Sequence, residues 1–267
     1  MSSAVPVAPV PLSRSEAAAM AQRQLKKHDV AIVLLHWFNA VTWMLEVATG
    51  VALVSSRLFR VVPGWYIALV SDVFGTRANL LRFHLALGIT WTLVLVPYVI
   101  FGFRTYVRAE TLDPTDADDV RWLVVRARMI LGRTTEPLPP QGIYNSGQKA
   151  FALVVWLMTP LVVVSGFIMA FSWISSEIVG WAVVVHFLAV GSVVAGLAVH
   201  VYMGAVFPEE RPAFFSMITG RVNELFAYRH HFKWWREVKL AEQARSESSP
   251  APGGDVPGVS PGPEAPR

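Results

Sequence analysis

Four histidines lie in segments of the sequence that carry almost no charge. His186 and His200 are inside a stretch from 178 to 207 that has no Asp, Glu, Lys or Arg, and His36 and His84 lie in two other apolar stretches. An imidazole ring in such surroundings can ligate a metal, relay protons or form a hydrogen bond between helices. The positions of the rings along their segments indicate which chemistry the sequence favours.

The spacing of His186 and His200 predicts that both rings lie on nearly the same face of one helix. They are fourteen residues apart, a separation about 40° short of four turns with a rise of about 21 Å. They therefore lie at opposite depths of one apolar segment. His84 opens the second segment and His36 lies near the start of the first. With segments of alternating direction, the depths pair His84 with His186 and His36 with His200.

Two imidazoles at one depth, from different helices, suit the two axial positions of a haem iron. An iron with both axial positions filled transfers electrons and has no open position for a substrate. The sequence therefore predicts two b-type haems, with His84 and His186 as axial iron ligands of one and His36 and His200 as those of the other. For any of these histidines taken alone, hydrogen bonding between helices is the alternative.

Three glycines and one arginine are candidate haem contacts. Gly50, Gly88 and Gly191 lie close to the histidines in depth, and a residue without Cβ lets a porphyrin approach the helix backbone. Arg82, two residues before His84, could pair with a haem propionate. Small residues are also common at any membrane helix contact, and an arginine at a helix end also extends towards the interface, so these alternatives stay open.

The composition predicts the helices that would position these residues. The chain of 267 residues has 16% charged and 54% hydrophobic residues, whereas soluble domains carry about 25% charge. Apolar stretches at about 31–56, 83–103, 150–174 and 178–207 reach the roughly 20 residues needed to cross a bilayer. The predicted fold class is all-α, an integral membrane bundle of four transmembrane helices within a domain from 28 to 240.

The distribution of Lys and Arg predicts how the bundle is oriented in the membrane. Lys and Arg are frequent in both terminal segments and number seven in the loop 104–149, but are absent from 175–177. The positive-inside rule then places both termini and that loop in the cytoplasm. The net charge of +4 is explained by faces beside anionic lipid, so no nucleic acid partner is expected.

Segment 1–27 is predicted to be a disordered or amphipathic tail and segment 241–267 a disordered Pro/Gly/Ser-rich tail. The absence of cysteine excludes disulfides, iron–sulfur ligation and thioether-linked haem.

Several motifs occur in order along the chain: HW at 36–37, RFHLALG at 82–88, YNSGQK at 144–149, VHFLAVG at 185–191, HVYMGAVFPEERPAFFSMITGRV at 200–222 and RHHFKWWRE at 229–237. Over residues 28 to 240 they resemble the gamma subunit of respiratory formate dehydrogenases, a di-haem cytochrome b with four helices. The histidine spacing alone also fits the cytochrome b subunit of a hydrogenase or of another molybdenum oxidoreductase. A membrane anchor or transporter without redox function is a further alternative.

The resemblance implies a chain of electron transfer in the bacterial inner membrane. Electrons would enter from an iron–sulfur beta subunit, which is supplied by a molybdenum or tungsten catalytic alpha subunit, and would pass through the periplasmic haem to the cytoplasmic one. They would then reduce menaquinone or ubiquinone at a site bordered by Asn145, Gln148 and His200. Without the resemblance, Asn145 is read as an ordinary helix cap. No residue of this chain suggests formate chemistry.

Four further residues depart from the pattern or have open roles. Glu46 lies near mid-depth in the first apolar segment, where an ionisable group is costly and indicates function. It could relay protons, pair with another helix or remain a neutral, hydrogen-bonded side chain. His28 is either a propionate contact or solvated. His230 and His231 belong to an amphipathic aromatic stretch, which predicts an interfacial helix, with a partner contact as the alternative.

Overall fold

The computed structural model describes residues 5–54, 57–103, 117–170 and 174–248. The helices are α1 Arg14–Gln22, α2 Val30–Leu53, α3 Gly64–Phe74, α4 Arg77–Gly102, α5 Ala117–Ile130, α6 Ser146–Ala170, α7 Ser176–Val201, α8 Arg211–Thr219, α9 Glu224–His230 and α10 Phe232–Ser248. Two strands, β1 Gln24–Lys26 and β2 Arg221–Asn223, form one antiparallel pair. A π-helical turn, Tyr202–Val206, continues α7.

Four of these helices are long and apolar enough to cross a membrane: α2, α4, α6 and α7 with its π turn. The prediction of an all-α membrane bundle with four helices is therefore confirmed. Helix α6 packs along α7, and α2 packs along α4. Large apolar side chains such as Leu93, Leu157 and Leu188 are exposed on the helix surfaces, as is expected where lipid is the solvent.

The second spanning helix begins earlier than the sequence predicted. Helix α4 starts at Arg77 because Thr76 caps it, its side chain accepting a hydrogen bond from the Asn79 backbone N–H. His84 is thus about two turns inside the helix. Before it, the apolar helix α3 covers the end of α2, where the Tyr66 hydroxyl donates to the Ala48 carbonyl oxygen at 2.9 Å. The predicted span residues 55–56 and 171–173 lie outside the described residues.

Part of the segment expected to be a loose N-terminal tail is ordered. Ser13 and Glu16 form a capping box at the start of α1, and Leu25 of β1 lies opposite Val222 of β2. This differs from the expectation for 1–27, which rested on composition alone and could not include a pairing partner some 200 residues away. Similarly, residues 241–248 continue α10, while 249–267 lie outside the described residues.

We call the assembly of α1, β1, β2, α8, α9 and α10 the terminal cap. Its buried cluster is mainly apolar and aromatic: Met20, Leu25, Val222, Phe226, Ala227, Tyr228, Phe232, Trp234 and Trp235. The cap is attached to the bundle where α2 begins, since the Trp37 indole N–H donates to the Met217 carbonyl oxygen at 2.6 Å. It also contacts the segment before α6, where the Lys233 backbone N–H donates to the Gln141 carbonyl oxygen at 2.9 Å. The cap therefore closes one end of the bundle.

Candidate haem sites

The structure brings His36 of α2 and His200 of α7 together at the end of the bundle closed by the cap. Their ring centroids are 6.3 Å apart, with an angle of 51° between the ring planes. Two metal–nitrogen bonds of about 2 Å each, with half of a ring on either side, account for roughly this separation. The separation is compatible with both rings holding one iron, and we call them the cap pair.

Aromatic packing holds the cap pair. Phe151 of α6 stacks on the His200 ring, with centroids 5.2 Å apart, and the Trp37 ring meets the His36 ring edge-on at 5.5 Å. The stacking requires Gly196, because a Cβ there would lie 2.6 Å from the Phe151 ring. The buried Nδ1 of His36 has no hydrogen-bond partner among the described residues. A buried nitrogen left in this way fits a site that a further group completes.

His186, on α7, is oriented by two oxygens of α6. Its Nδ1 lies 3.1 Å from the Val162 carbonyl oxygen and 3.0 Å from Ser165 Oγ. A carbonyl oxygen only accepts hydrogen bonds, so Nδ1 carries the proton and Nε2 keeps its lone pair for a metal. Metal-ligating histidines are usually held in this way by their other ring nitrogen.

His84, on α4, is oriented by α2 in a similar manner. Its Nδ1 lies 2.6 Å from Glu46 Oε2 and 2.9 Å from Thr49 Oγ1. The Thr49 hydroxyl donates to the Leu45 carbonyl oxygen at 2.7 Å, so both oxygens can accept the N–H of the ring. His84 Nε2 is again left to ligate iron. We call His84 and His186 the far pair, because they lie away from the cap.

A hydroxyl residue followed by glycine holds each ring of the far pair. Thr49 forms a hydrogen bond with His84, and a Cβ on Gly50 would lie 3.2 Å from His84 Cε1. Ser165 contacts His186 in the same way, and a Cβ on Gly166 would lie 3.5 Å from His186 Cε1. Gly50 is a predicted haem contact, and the structure places it against the His84 ring. Gly166 is not among the predicted contacts, although the hydroxyl–glycine dipeptide repeated in two spans is a sequence signal for it.

The remaining predicted haem contacts have varied surroundings. A Cβ on Gly88 would lie 3.4 Å from Glu46 Oε1, whereas one on Gly191 would meet no described atom within 4 Å. The exposed Arg82 guanidinium donates to Asn79 Oδ1 at 3.5 Å. Haem contact by these residues remains a prediction.

The predicted quinone residues form the cap of α6. The Gln148 backbone N–H donates to Asn145 Oδ1 at 3.0 Å, and the Asn145 backbone N–H donates to Gln148 Oε1 at 2.9 Å. Both contacts use the amide oxygens, which leaves the amide N–H groups as the donors for a ligand. The helix-cap reading of Asn145 is therefore correct, and it is compatible with a quinone role.

His231 is buried in the terminal cap rather than placed at an interface. Its Nδ1 donates to the Gly142 carbonyl oxygen at 2.8 Å, and its Nε2 lies 3.1 Å from Lys27 Nζ. Burial is the main reason why the pKa of His231 lies well below its ordinary value, and it also lowers the pKa of Lys27 to about 8. The sequence missed this because the contacts of His231 come from distant segments.

Two other histidines have aromatic contacts at the cap end of the bundle. His28 is buried and stacks on Tyr144, with ring centroids 6.1 Å apart. Burial, followed by the charge of Lys27, lowers the pKa of His28 to about 3, so the solvated reading does not hold. His230 stacks on Phe226, with ring centroids 4.6 Å apart.

Residues 27–220 match the family described as prokaryotic cytochrome b561. The chain belongs to this family. The match includes all four ligand candidates, His36, His84, His186 and His200, and a cytochrome b family implies haem b as the cofactor. Together with the four apolar helices, it makes the chain a bacterial membrane cytochrome b.

The relatives agree with the resemblance expected from the motifs. The chain is 24% identical over 217 residues to the cytochrome b556(Fdn) subunit of nitrate-inducible formate dehydrogenase from Escherichia coli K12. The aligned region covers 80% of this chain and 90% of the relative. It is 22% identical to the formate dehydrogenase cytochrome b556(fdo) subunit of the same organism, covering 79% and 92%. A formate dehydrogenase cytochrome b556 subunit from Haemophilus influenzae is 23% identical, covering 84% and 88%.

Proposed function

We propose that this chain is the di-haem cytochrome b subunit of a respiratory formate dehydrogenase in the bacterial inner membrane. It would carry electrons from a periplasmic iron–sulfur subunit, supplied by a molybdenum or tungsten catalytic subunit, to menaquinone or ubiquinone. The names of the relatives and the extent of their match support this assignment. The observation that carries it is the approach of His36 and His200 to a centroid distance of 6.3 Å.

Haem b supplies reversible one-electron transfer when it is bound. His84 and His186 would hold one haem near the periplasmic surface, and His36 and His200 the other near the cytoplasm. With two imidazoles bound to each iron, neither site would leave a coordination position for a substrate. His186 and His200 fix the two levels along α7, about 21 Å apart in rise. Electron flow would therefore run inward along the bundle.

Asn145 and Gln148 would bind the quinone beside the cap pair. Their amide oxygens cap α6, so their amide N–H groups would donate to a quinone carbonyl. Inward electron transfer together with proton uptake from the cytoplasm separates charge, which stores about 2.3 kcal/mol per charge per 100 mV of membrane potential. Both the position of the amides and the positive-inside orientation support this direction.

The purified complex tests the assignment. We expect the reduced-minus-oxidised spectrum to be of b type, a haem-to-chain ratio of two, and co-purification with iron–sulfur and molybdenum or tungsten subunits that oxidise formate. A different catalytic partner with two haems retained would overturn only the formate assignment. A ratio of one or zero would overturn the di-haem proposal.

The quinone site is tested by variants that keep the helix cap. Asn145→Asp and Gln148→Glu retain the capping oxygen but lose the amide N–H. Loss of one hydrogen bond of about 1.4 kcal/mol predicts a roughly tenfold higher KM for quinone. Formate oxidation with an artificial acceptor at the iron–sulfur subunit should be unchanged, and so should the melting temperature. An unchanged KM in both variants would refute the quinone role.

A further inference from the structure

Glu46 distinguishes the two rings of the far pair. It is the single Asp, Glu, Lys or Arg of α2, Val30–Leu53, and its Oε2 lies 2.6 Å from His84 Nδ1. His186, by contrast, has the neutral partners Ser165 and Val162 at the same ring nitrogen. A carboxylate in a membrane span needs a specific partner to offset its burial. The ring of His84 is that partner.

The surroundings direct the carboxylate to His84. Glu46 is mostly buried, with a side chain 18% exposed. Its second oxygen, Oε1, has no hydrogen-bond partner among the described residues. Gly88 of α4 leaves the space that Oε1 occupies, since a Cβ there would lie at 3.4 Å. A residue larger than alanine at 88 would compete with the carboxylate for this position.

The direction of the hydrogen bond follows from Thr49. Its hydroxyl donates to the Leu45 carbonyl oxygen, so Thr49 Oγ1 accepts from His84 Nδ1 at 2.9 Å. Nδ1 therefore carries a proton, and it donates that proton mainly to Glu46 Oε2, the nearer and more negative oxygen. A charge-assisted bond of this kind is stronger than a bond between neutral groups.

We propose that Glu46 is a positioning residue that lowers the midpoint potential of the haem held by His84 and His186. A ligand imidazole that donates its N–H to a carboxylate becomes more basic, and a negative charge close to the iron favours its ferric state. Hydrogen bonding to an axial ligand is one of the means by which a protein sets haem potential. This inference rests on the proposed haem ligation by the far pair.

The consequence is a difference in potential between the two levels. The cap pair has no carboxylate in its described contacts, which are aromatic. Glu46 would thus make the far haem the more reducing of the two. Electrons that enter at the far end would then move to the cap end with a favourable free energy, in the direction that the proposed function requires.

The test is a redox titration of the complex with Glu46→Gln, followed by optical and EPR spectra. Gln keeps a hydrogen-bond acceptor for His84 but removes the charge. We expect two haems per chain and an upward shift of one midpoint potential, with the other unchanged. A tenfold change in the ferric-to-ferrous ratio corresponds to about 59 mV for a one-electron couple, and we expect a shift of at least this order.

A matched control is Glu177→Gln, which makes the same change of charge at an exposed residue in the first turn of α7. It should leave both potentials unaltered. If Glu46→Gln binds two haems with unchanged potentials, or shifts both equally, the inference is overturned. A wild-type complex with fewer than two haems would instead overturn the proposed function.

Glu46→Asp is the second variant, for the case in which Glu46→Gln does not retain the far haem. It keeps the charge but withdraws it from His84 by one methylene. An upward shift of one potential, smaller than that of the Gln variant, supports the role of Glu46. The potential of the far haem could instead stay unchanged in Glu46→Asp while its EPR signal changes because the hydrogen bond to His84 is lost. That result contradicts the role of Glu46.

Discussion

The far pair and the cap pair use the same ligand residue but hold it by different forces. His84 and His186 each donate an N–H to oxygens of a neighbouring helix, whereas His200 is held by a stacked phenylalanine and His36 Nδ1 has no partner among the described residues. Hydrogen bonds fix a ring and change its basicity, while aromatic packing fixes it without adding charge. Under the proposed ligation, the two haems would therefore differ in potential although each would have two imidazole ligands.

Gly196→Leu should have the largest effect and should break the cap pair alone. Any side chain at 196 collides with Phe151, because even a Cβ would lie at 2.6 Å, so the ring cannot remain stacked on His200. We expect the haem-to-chain ratio to fall from two towards one, measured by pyridine haemochrome assay. Gly180→Ala is the control on the same helix, since a Cβ there meets no described atom within 4 Å. A ratio of two in Gly196→Leu would contradict the packing account.

Acidification should affect the cap end before the far end. The pKa of His28 is lowered to about 3 and that of His231 lies well below 6.5, so the unfolded chain takes up protons that the folded cap does not. The contribution to stability is complete above about pH 6.5 and is lost as the pH falls towards 3. Each histidine accounts for at most about 1.4 kcal/mol per pH unit.

Limited proteolysis of the cap between pH 7 and 4, with haem spectra recorded in parallel, measures this effect. We expect cleavage in the cap and perturbation of one haem signal while the other persists. His231→Gln, which cannot become charged, should reduce the dependence on pH. Simultaneous loss of both signals at the same pH would show that the cap end is not the more sensitive one.

The ordered cap also marks the limit of what the sequence could predict. Apolar runs of about 20 residues determine the four helices, and the spacing of fourteen residues predicted the depths of His186 and His200. The cap could not be predicted in this way, since its contacts join distant segments, as when the Tyr228 hydroxyl donates to the Val10 carbonyl oxygen. The aromatic residues near the C-terminus predict an interfacial helix, but composition alone predicts that their partner segment, 1–27, is a tail.

The residues that contact the proposed haem ligands could not be predicted from the sequence either. Glu46 was recognised as unusual, but the residue opposite it on α4 depends on how α2 and α4 are rotated against each other. The glycines were expected to admit a porphyrin, whereas Gly50 and Gly88 lie against His84 and Glu46. Small residues in a span thus predict a close approach without identifying what approaches.

Gly50→Ala should shift the EPR signal of the far haem more than Gly166→Ala does. A Cβ at 50 would lie 3.2 Å from His84 Cε1, which is tight, while one at 166 would lie 3.5 Å from His186 Cε1, an ordinary contact. We expect a shifted EPR signal for the far haem in Gly50→Ala and almost none in Gly166→Ala, with two haems in each. Equal shifts would contradict the geometry.

Ser165→Ala should have the smallest effect. It removes one acceptor of the His186 N–H, but the Val162 carbonyl oxygen at 3.1 Å remains. We expect a loss of about 0.6 kcal/mol in stability, typical of a side-chain hydrogen bond between membrane helices, and an unchanged haem ratio. Calorimetry or thermal loss of the haem spectrum measures it. Loss of the far haem would mean that Ser165, not Val162, orients His186.

The pairing of the histidines is tested most directly by the haem content of two double variants. His84→Ala/His186→Ala removes both ligands of one site, so the account predicts one remaining haem per chain. His84→Ala/His36→Ala removes one ligand from each site, and the account predicts none. The opposite pattern, or equal haem content in the two variants, would contradict the assignment of the four histidines to two pairs.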